Sequence, residues 1–275
     1  MELLKSELVY LDSNVYIDID EGRRPELKSY LLEQSLRKST LFPFSSALIN
    51  ELTSFRKTNR CIKRLNFLSK VSSDLYFISD IRQQKFCIES PYNVHKIIFS
   101  HFAHLNLSKL FTKLVLSFLV KKMRADLELA PNVLNNKLPS DAIIAIDEAL
   151  LKYAIKSNKQ YFPLVRQIKL SRERAIKDSR KLWNHMGVSE EQMLHNHDIK
   201  QAFILLELHG YHPDKAAVYE KGSRYIDAEH LSAASHCDFL VTRDKGMKRR
   251  AEAVYQLASI RTQVLSTDEY EAKVL

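Results

Sequence analysis

The sequence predicts an α/β protein in which a small parallel sheet flanked by helices carries a large all-α insertion. Three observations support this prediction. Strand and helix patterns alternate at both ends of the chain, the pattern between about residues 61 and 200 is almost entirely helical, and 45% of the 275 residues are hydrophobic, which is enough for a substantial core. We therefore expect one discontinuous sheet domain, residues 1–60 and 205–275, and a basic helical insertion, residues 61–204.

The first predicted elements are a strand, a helix, and a strand-like pair that leads into a second helix. The strand is LVYLD, a short apolar and β-branched run that ends before Ser13. The first helix is ELKSYLLEQSLRKS, with Pro25 near its start and leucines along one side. The segment LFPFSSALINELTSF supplies the strand-like pair and a helix that Ser45 or Ser46 caps and that carries Glu51.

The middle of the chain is predicted as helices around one loop, PNVLNNKLP. Ser140 is the expected cap of the helix SDAIIAIDEALLKYAIK, and the charged helix SRERAIKDSRKLWNHM follows. After Pro213 the alternation of strand and helix returns. The helix DAEHLSAASH, with Asp227 at its start, is followed by the strand DFLVT, the helix MKRRAEAVYQLA, the strand TQVLS and a last helix that Thr267 caps.

Composition excludes several classes of protein. The five glycines form neither a dinucleotide-binding fingerprint nor a P-loop. Cys61, Cys87 and Cys237 have the spacing of neither a disulfide framework nor a zinc site, which favours a reducing, cytoplasmic location. Acidic residues in MELLKSELVY argue against a signal peptide. The apolar segment LFTKLVLSFLVKK is interrupted by Lys113 and is too short to cross a bilayer, so no membrane association is expected.

The positive charge is concentrated in the middle of the chain. The net charge is +9, and residues 61–200 contain 23 Lys and Arg against 13 Asp and Glu. Such a block is either a solvated helical face or a surface that binds a polyanion. Arg174, Lys177 and Lys181 have helical spacing on one side, which favours a stripe that follows phosphates. The predicted nucleic-acid contacts are Arg172, Arg174, Lys177, Arg180, Lys181, Lys245, Lys248 and Arg249.

Four carboxylates from separate segments are predicted to meet at one edge of the sheet. Asp12 and Asp244 each follow a predicted strand, and parallel strands bring their carboxyl ends to the same edge. Asp227 begins a helix, and Glu51 lies in a helix that leaves the sheet. Each acid taken alone is more often a helix cap or an ion-pair partner. Gathered together, they would repel one another unless a hard divalent cation such as Mg²⁺ compensated their charge.

Three segments resemble the conserved blocks of PIN domains. They are VYLDSNVYIDI, FSSALINELTS and YIDAEHLSAASHCDFLVTRDKGMKRR, and the last is the most specific because a helix acid, a hydrophobic strand and Thr-x-Asp occur together. The resemblance covers roughly residues 6–60 and 205–275. It implies a metal-dependent endoribonuclease that uses Mg²⁺ or Mn²⁺. The implied catalytic and metal-binding residues are Asp12, Glu51, Asp227 and Asp244.

Five further residues are expected to support this site. Asn14, Thr242 and, more weakly, Ser46 match polar positions of the family. His230 lies three positions after the helix acid, where it would either touch the site or a phosphate, or serve as a hydrogen-bonded structural histidine. Arg243 adjoins the last acid and would neutralise a phosphate or a neighbouring carboxylate.

Other functions remain open at the level of sequence. RNA is the expected partner, but a noncatalytic PIN-like module that binds RNA or a protein, and a nuclease for single-stranded DNA, both fit the same motifs. A zinc site is a weaker alternative that would use His195, His197, His209 and His212. Because PIN domains include toxins of bacterial toxin–antitoxin pairs, the resemblance adds a protein inhibitor, or antitoxin, as a partner to test. Self-association into a homo-oligomer is a further arrangement to test.

Overall fold

The structure is a computed structural model, and it describes residues 6–53, 58–80, 83–102, 120–174, 190–213 and 223–275. The chain forms two compact units. Unit 1 comprises residues 1–105, 229–248 and 261–275, and unit 2 comprises residues 106–228 and 249–260. Within the described ranges, no helix has the length and apolar character needed to cross a membrane.

The helices and strands alternate in the first part of the chain and again in the last. From the N-terminus to residue 102 they are β1 (Glu7–Leu11), α1 (Ser13–Asp20), α2 (Pro25–Arg37), β2 (Thr40–Leu41), β3 (Phe44–Ser45), α3 (Ser46–Thr53), α4 (Thr58–Ser72), β4 (Leu75–Asp80), β5 (Gln83–Ile88) and α5 (Pro91–Phe102). From residue 131 onward they are α6 (Pro131–Leu134), α7 (Pro139–Lys156), α8 (Glu190–Leu208), α9 (Ser223–Ala234), β6 (Phe239–Thr242), α10 (Lys245–Leu257), β7 (Gln263–Ser266) and α11 (Thr267–Val274). Residues 120–126 and 164–174 are also helical.

The main sheet of unit 1 is parallel and has the strand order β2-β1-β6-β7. β1 and β6 are direct neighbours, with Val9 opposite Phe239 and Leu11 opposite Val241. The predicted α/β class, with a parallel sheet flanked by helices, is therefore confirmed. The register also confirms that the chain leaves β1 and β6 at the same edge of the sheet, immediately before Asp12 and just before Asp244.

Residues 61–105 belong to unit 1, although the sequence placed them in the insertion. α4 carries Leu65, Leu68 and Val71 at helical spacing, and all three are buried in the same core as the first strand. Val94 of α5 joins them. The other buried members of this core are Val9, Leu11, Val15, Tyr16, Ile19, Leu27, Leu31, Phe42, Phe44, Leu48, Ile49, Leu52, Phe239, Val241 and Tyr270.

The expectation of an almost entirely helical segment after residue 61 is wrong between residues 75 and 88. β4 and β5 form an antiparallel pair there, and β3 adds a parallel strand to give a second sheet with the order β3-β4-β5. Aromatic residues explain this outcome, because Phe77 packs on Phe86 with ring centroids 5.3 Å apart and Tyr76 packs on Phe44 at 5.1 Å. The segment PNVL, predicted as loop, forms the short helix α6.

Two predicted helix caps are also wrong. α7 begins at Pro139 after Leu138, whose side chain makes no capping hydrogen bond, so Ser140 lies inside the first turn. Proline fits that position because the first turn needs no amide donor. The last helix is capped by Ser266 and not by Thr267. Ser266 Oγ accepts from the amide of Glu269, and the Glu269 carboxylate accepts from the amide of Ser266, which completes a capping box.

Candidate metal centre

Asp12, Glu51 and His230 form a cluster in unit 1. One possible ligand atom from each residue lies within 4.8 Å of the other two. β1 positions Asp12 at its carboxyl end, α3 carries Glu51, and α9 carries His230. Asp12 is 2% exposed and the His230 side chain is fully buried, whereas the Glu51 side chain is 25% exposed. A ligand would therefore approach the cluster from the side of Glu51.

Asp12 is held by four neighbouring groups. It is the N-cap of α1, with its Oδ1 atom 2.7 Å from the amide of Ser13. Its Oδ2 atom accepts from Asn14 Nδ2 at 3.0 Å and from Thr242 Oγ1 at 2.7 Å, and its amide donates to the carbonyl of Val241 at 2.9 Å. Asn14 and Thr242, two of the residues predicted to support the site, therefore both contact the Asp12 carboxylate. Together these contacts fix the carboxylate at the edge of the sheet.

Burial and charge act differently on the two acids. Burial raises the pKa of Asp12, and the charge of Glu51 raises it further, against the opposing effects of His230, Thr242 and Asn14. Burial also raises the pKa of Glu51, but hydrogen bonds from His230 and Ser13 lower it more, so the pKa of Glu51 lies below its usual value. The charged form of the Asp12 carboxylate is therefore disfavoured in the metal-free protein. Two carboxylates suit a hard divalent cation, so the residues fit Mg²⁺ or Mn²⁺.

Asp244 is linked to Asp12 through Thr242. The amide of Asp244 donates to Thr242 Oγ1 at 3.1 Å, and the same hydroxyl donates to Asp12. The Asp244 side chain is exposed and its Oδ1 atom accepts from the amide of Met247 at 2.9 Å. Asp244 therefore serves as a cap of α10, and it lies outside the three-residue cluster formed by the described side chains.

Asp227 belongs to unit 2, where it faces a buried arginine. Its Oδ2 atom lies 3.7 Å from Arg250 Nη2. Because α9 begins at Ser223, Asp227 occupies the second turn and not the helix start that the sequence predicted. The N-terminal dipole, which acts within the first turn, therefore gives this carboxylate little stabilisation.

Arg243 contacts a carboxylate that the sequence did not single out. Its guanidinium donates to Oδ1 of Asp18, a buried residue of α1, and Arg23 contacts the same oxygen at 2.5 Å. Both arginine side chains remain nearly half exposed, 44% for Arg243 and 47% for Arg23.

Ser46 is the half-buried first residue of α3, and its neighbour Ser45 accepts from the amide of Leu48 at 3.4 Å.

The predicted basic stripe is only partly described. Arg172 forms an ion pair with Asp198, with 3.3 Å between Nη1 and Oδ2, whereas Arg174 is exposed. Arg174 is thus better placed than Arg172 to meet a phosphate. Three predicted members of the stripe lie outside the described residues: Lys177, Arg180 and Lys181.

The basic residues of α10 differ in their partners. Lys245 is exposed, Lys248 pairs with Glu269, and Arg249 lies 3.2 Å from Glu252 on the same helix. The Lys248 side chain is only 17% exposed and its partner Glu269 also belongs to the capping box of α11, whereas Arg249 is nearly half exposed, so a phosphate would reach Arg249 more readily.

The alternative histidine site is not formed by the side chains that the structure describes. His209 is buried and its Nδ1 atom lies 2.6 Å from the carbonyl of Leu205, whereas His197 Nδ1 lies 3.6 Å from Asp198. Neither joins His212 in a group with metal-ligand spacing among the described residues. The side chain of His195 lies outside the described part.

Sequence reasoning missed two residues behind the cluster, Tyr10 and Ser45. Tyr10 Oη lies 2.7 Å from His230 Nδ1 and 2.6 Å from Ser45 Oγ. A signal for Tyr10 was present in the sequence. Residues two apart on a strand face the same side, so a tyrosine two positions before Asp12 points toward the same surroundings as that acid.

Comparisons of the chain with protein-family models, curated proteins and solved structures found no match.

Proposed function

We propose that the protein is a metal-dependent endoribonuclease whose catalytic centre is built on Asp12 and Glu51. The observation that carries the proposal is the approach of these two acids at the carboxyl edge of a parallel sheet, where open α/β folds build their sites. A raised pKa at Asp12 supports it, because a cation would relieve the charge that burial disfavours.

Each residue has a distinct role in this proposal. Asp12 and Glu51 hold the metal, and Asn14 and Thr242 keep the Asp12 carboxylate oriented. When bound, Mg²⁺ or Mn²⁺ supplies positive charge beside a phosphodiester and lowers the pKa of water. Arg243 offers a half-exposed guanidinium next to Asp244, and it compensates charge on the phosphate.

The sequence resemblance assigns two further acids, Asp244 and Asp227, to the metal-binding set. Asp244 is tied to Asp12 through the Thr242 hydroxyl, which supports a role at the same edge of the sheet. Asp227 enters the proposal from the sequence resemblance alone. The two residues therefore need separate tests.

RNA is the proposed substrate because the positive charge of the chain lies in residues 61–200 and because the predicted stripe includes the exposed Arg174. Charge alone does not separate RNA from single-stranded DNA. The experiment therefore uses labelled structured RNA, unstructured RNA and single-stranded DNA, each with Mg²⁺, Mn²⁺ or EDTA.

The variants Asp12→Asn and Glu51→Gln are isosteric and remove the two charges of the centre. We expect cleavage of RNA that requires metal and falls at least about 100-fold in each variant. Glu148→Gln, which changes an exposed acid of α7, serves as the control and should cleave like the wild type. Cleavage that survives in EDTA, or in both centre variants, would contradict the proposal.

A second candidate function is a noncatalytic module that binds RNA or a protein partner. One observation favours it: Asp244 caps a helix and Asp227 faces Arg250, so two of the four predicted acids already have structural contacts. Binding of RNA by wild type and Asp12→Asn alike, without cleavage and without Mn²⁺ binding in calorimetry, would establish this alternative.

A further inference from the structure

A series of hydrogen bonds links Ser45, Tyr10, His230 and Glu51 in the interior of unit 1. Tyr10 is fully buried in β1, and its hydroxyl lies between Ser45 Oγ, at 2.6 Å, and His230 Nδ1, at 2.7 Å. His230 Nε2 lies 3.0 Å from Glu51 Oε2. A buried hydroxyl or imidazole is costly unless its polar atoms are bonded, and these contacts meet that requirement.

The contacts at the two ends of this hydrogen-bond series favour one direction for the bonds between them. At one end the backbone amide of Leu48 donates to Ser45 Oγ at 3.4 Å. At the other end an ionised Glu51 only accepts, so His230 Nε2 carries a hydrogen. In the neutral ring, His230 Nδ1 accepts from the Tyr10 hydroxyl, which leaves Tyr10 Oη to accept from Ser45 Oγ. Each hydroxyl then donates its single hydrogen once, Ser45 to Tyr10 and Tyr10 to His230. His230 in turn donates to Glu51.

We propose that His230 is a positioning residue that Tyr10 and Ser45 hold in the Nε2–H tautomer, so that its ring fixes the Glu51 carboxylate toward the metal. The proposal rests on the proposed metal centre. The full burial of the His230 side chain supports it, because both ring nitrogens lie within hydrogen-bonding distance of protein atoms while the partly exposed Glu51 stands in front. Glutamate loses side-chain entropy when it is fixed, and this contact fixes it before the metal binds.

The Tyr10→Phe variant tests the hydrogen-bond series because it keeps the ring and removes the hydroxyl. Tyr16→Phe is a matched control: Tyr16 is also buried in unit 1, but its hydroxyl has no hydrogen-bond partner among the residues that the structure describes. A second variant, His230→Gln, keeps an N–H donor near the position of Nε2. Circular dichroism and thermal melting verify that each variant is folded.

The first readout is nitrogen-15 NMR of labelled histidine in the metal-free protein, with His230→Gln used to assign the His230 signals. We expect wild type and Tyr16→Phe to show His230 in the Nε2–H form, and Tyr10→Phe to show mixed tautomers. Wild type and Tyr10→Phe with the same tautomer ratio would overturn the role of Tyr10.

The second readout is Mn²⁺ binding, measured by calorimetry and electron paramagnetic resonance. We expect Tyr10→Phe to weaken Mn²⁺ binding about 10-fold and Tyr16→Phe to leave it unchanged, as expected for a residue that orients a ligand. We also expect no nitrogen bound directly to Mn²⁺. Equal affinity in wild type and Tyr10→Phe, or a directly bound imidazole nitrogen, would overturn the positioning role. Failure of the wild type to bind Mn²⁺ would instead overturn the metal centre itself.

Discussion

The guanidinium of Arg250 is fully buried and lies 3.7 Å from the carboxylate of Asp227. The same guanidinium donates to the carbonyl of His212 and stacks over the ring of Phe203, 4.7 Å from its centroid. A buried cation requires a counter-charge, and Asp227 supplies one. This relationship gives Asp227 a structural function in unit 2 whether or not it also binds metal.

We therefore expect Asp227→Asn to lower the free energy of unfolding by about 1–3 kcal/mol, because it leaves a buried charge less well paired. Chemical denaturation without added metal measures this change. Glu148→Gln, an exposed acid of the same unit, should change stability by less than about 0.5 kcal/mol. A rise in stability for Asp227→Asn would instead indicate an acid under repulsion, as in a metal site.

Asp12→Asn is expected to raise the free energy of unfolding of the metal-free protein, in contrast to Asp227→Asn. Burial raises the pKa of Asp12, so the charged form destabilises the folded state; this penalty is complete above the raised pKa, shrinks as the pH falls through it, and disappears below the pKa of the unfolded state. Asp12→Asn should therefore be more stable than the metal-free wild type at pH 7, and this advantage should shrink toward pH 4. Thermal melting of both proteins across this pH range measures the difference, and a difference that is independent of pH would contradict the assignment.

Added metal should make the wild type more stable than Asp12→Asn, which reverses their order of stability without metal. A metal that binds only the folded state stabilises it by about 2.7 kcal/mol at 100 times its dissociation constant. We expect Mn²⁺ to raise the melting temperature of the wild type and to leave that of Asp12→Asn unchanged. An equal rise in both would show that the ion binds somewhere other than Asp12.

Arg243 and Arg23 provide a matched pair for testing the proposed phosphate contact. Both guanidiniums contact Oδ1 of Asp18 and are exposed to a similar extent, so Arg243→Gln and Arg23→Gln should have similar effects on stability. Only Arg243 adjoins Asp244 at the end of β6. We expect Arg243→Gln to lower the RNA cleavage rate about 10–100-fold and Arg23→Gln to lower it several-fold at most. Equal rates would show that Arg243 serves only to pair with Asp18.

The sequence predicted the parts of the fold that depend on local pattern. LVYL and FLVT are short apolar runs that end at polar residues, and they form the adjacent strands β1 and β6. Because parallel strands end at one edge, the acids after them were correctly expected there. The cap positions Ser140 and Thr267 were wrong because neighbouring residues, Leu138 and Ser266, occupy the cap positions.

Other features depend on contacts that no local pattern contains. The strands Leu75–Asp80 and Gln83–Ile88 pair with each other and with Phe44–Ser45, and this pairing outweighs the helical character of the surrounding sequence. The link from Tyr10 to His230 joins residues 220 positions apart, and the pair of Arg250 with Asp227 depends on burial. The spacing of residues in the sequence predicts neither of these two contacts.

The proposed RNA surface makes a prediction about salt. Each phosphate contact that is lost lowers the slope of log affinity against log salt by about 0.7 for single strands, so loss of three contacts should lower it by about 2. We expect the triple variant Arg174→Gln, Lys177→Gln, Lys181→Gln to bind RNA more weakly and with this smaller slope, measured by fluorescence anisotropy between about 50 and 200 mM salt. Arg172→Gln is the control, because Arg172 is paired with Asp198 and its loss should change the slope less. If the triple variant keeps the wild-type slope, these three residues do not contact phosphates, and the surplus charge of the middle region is a solvated face.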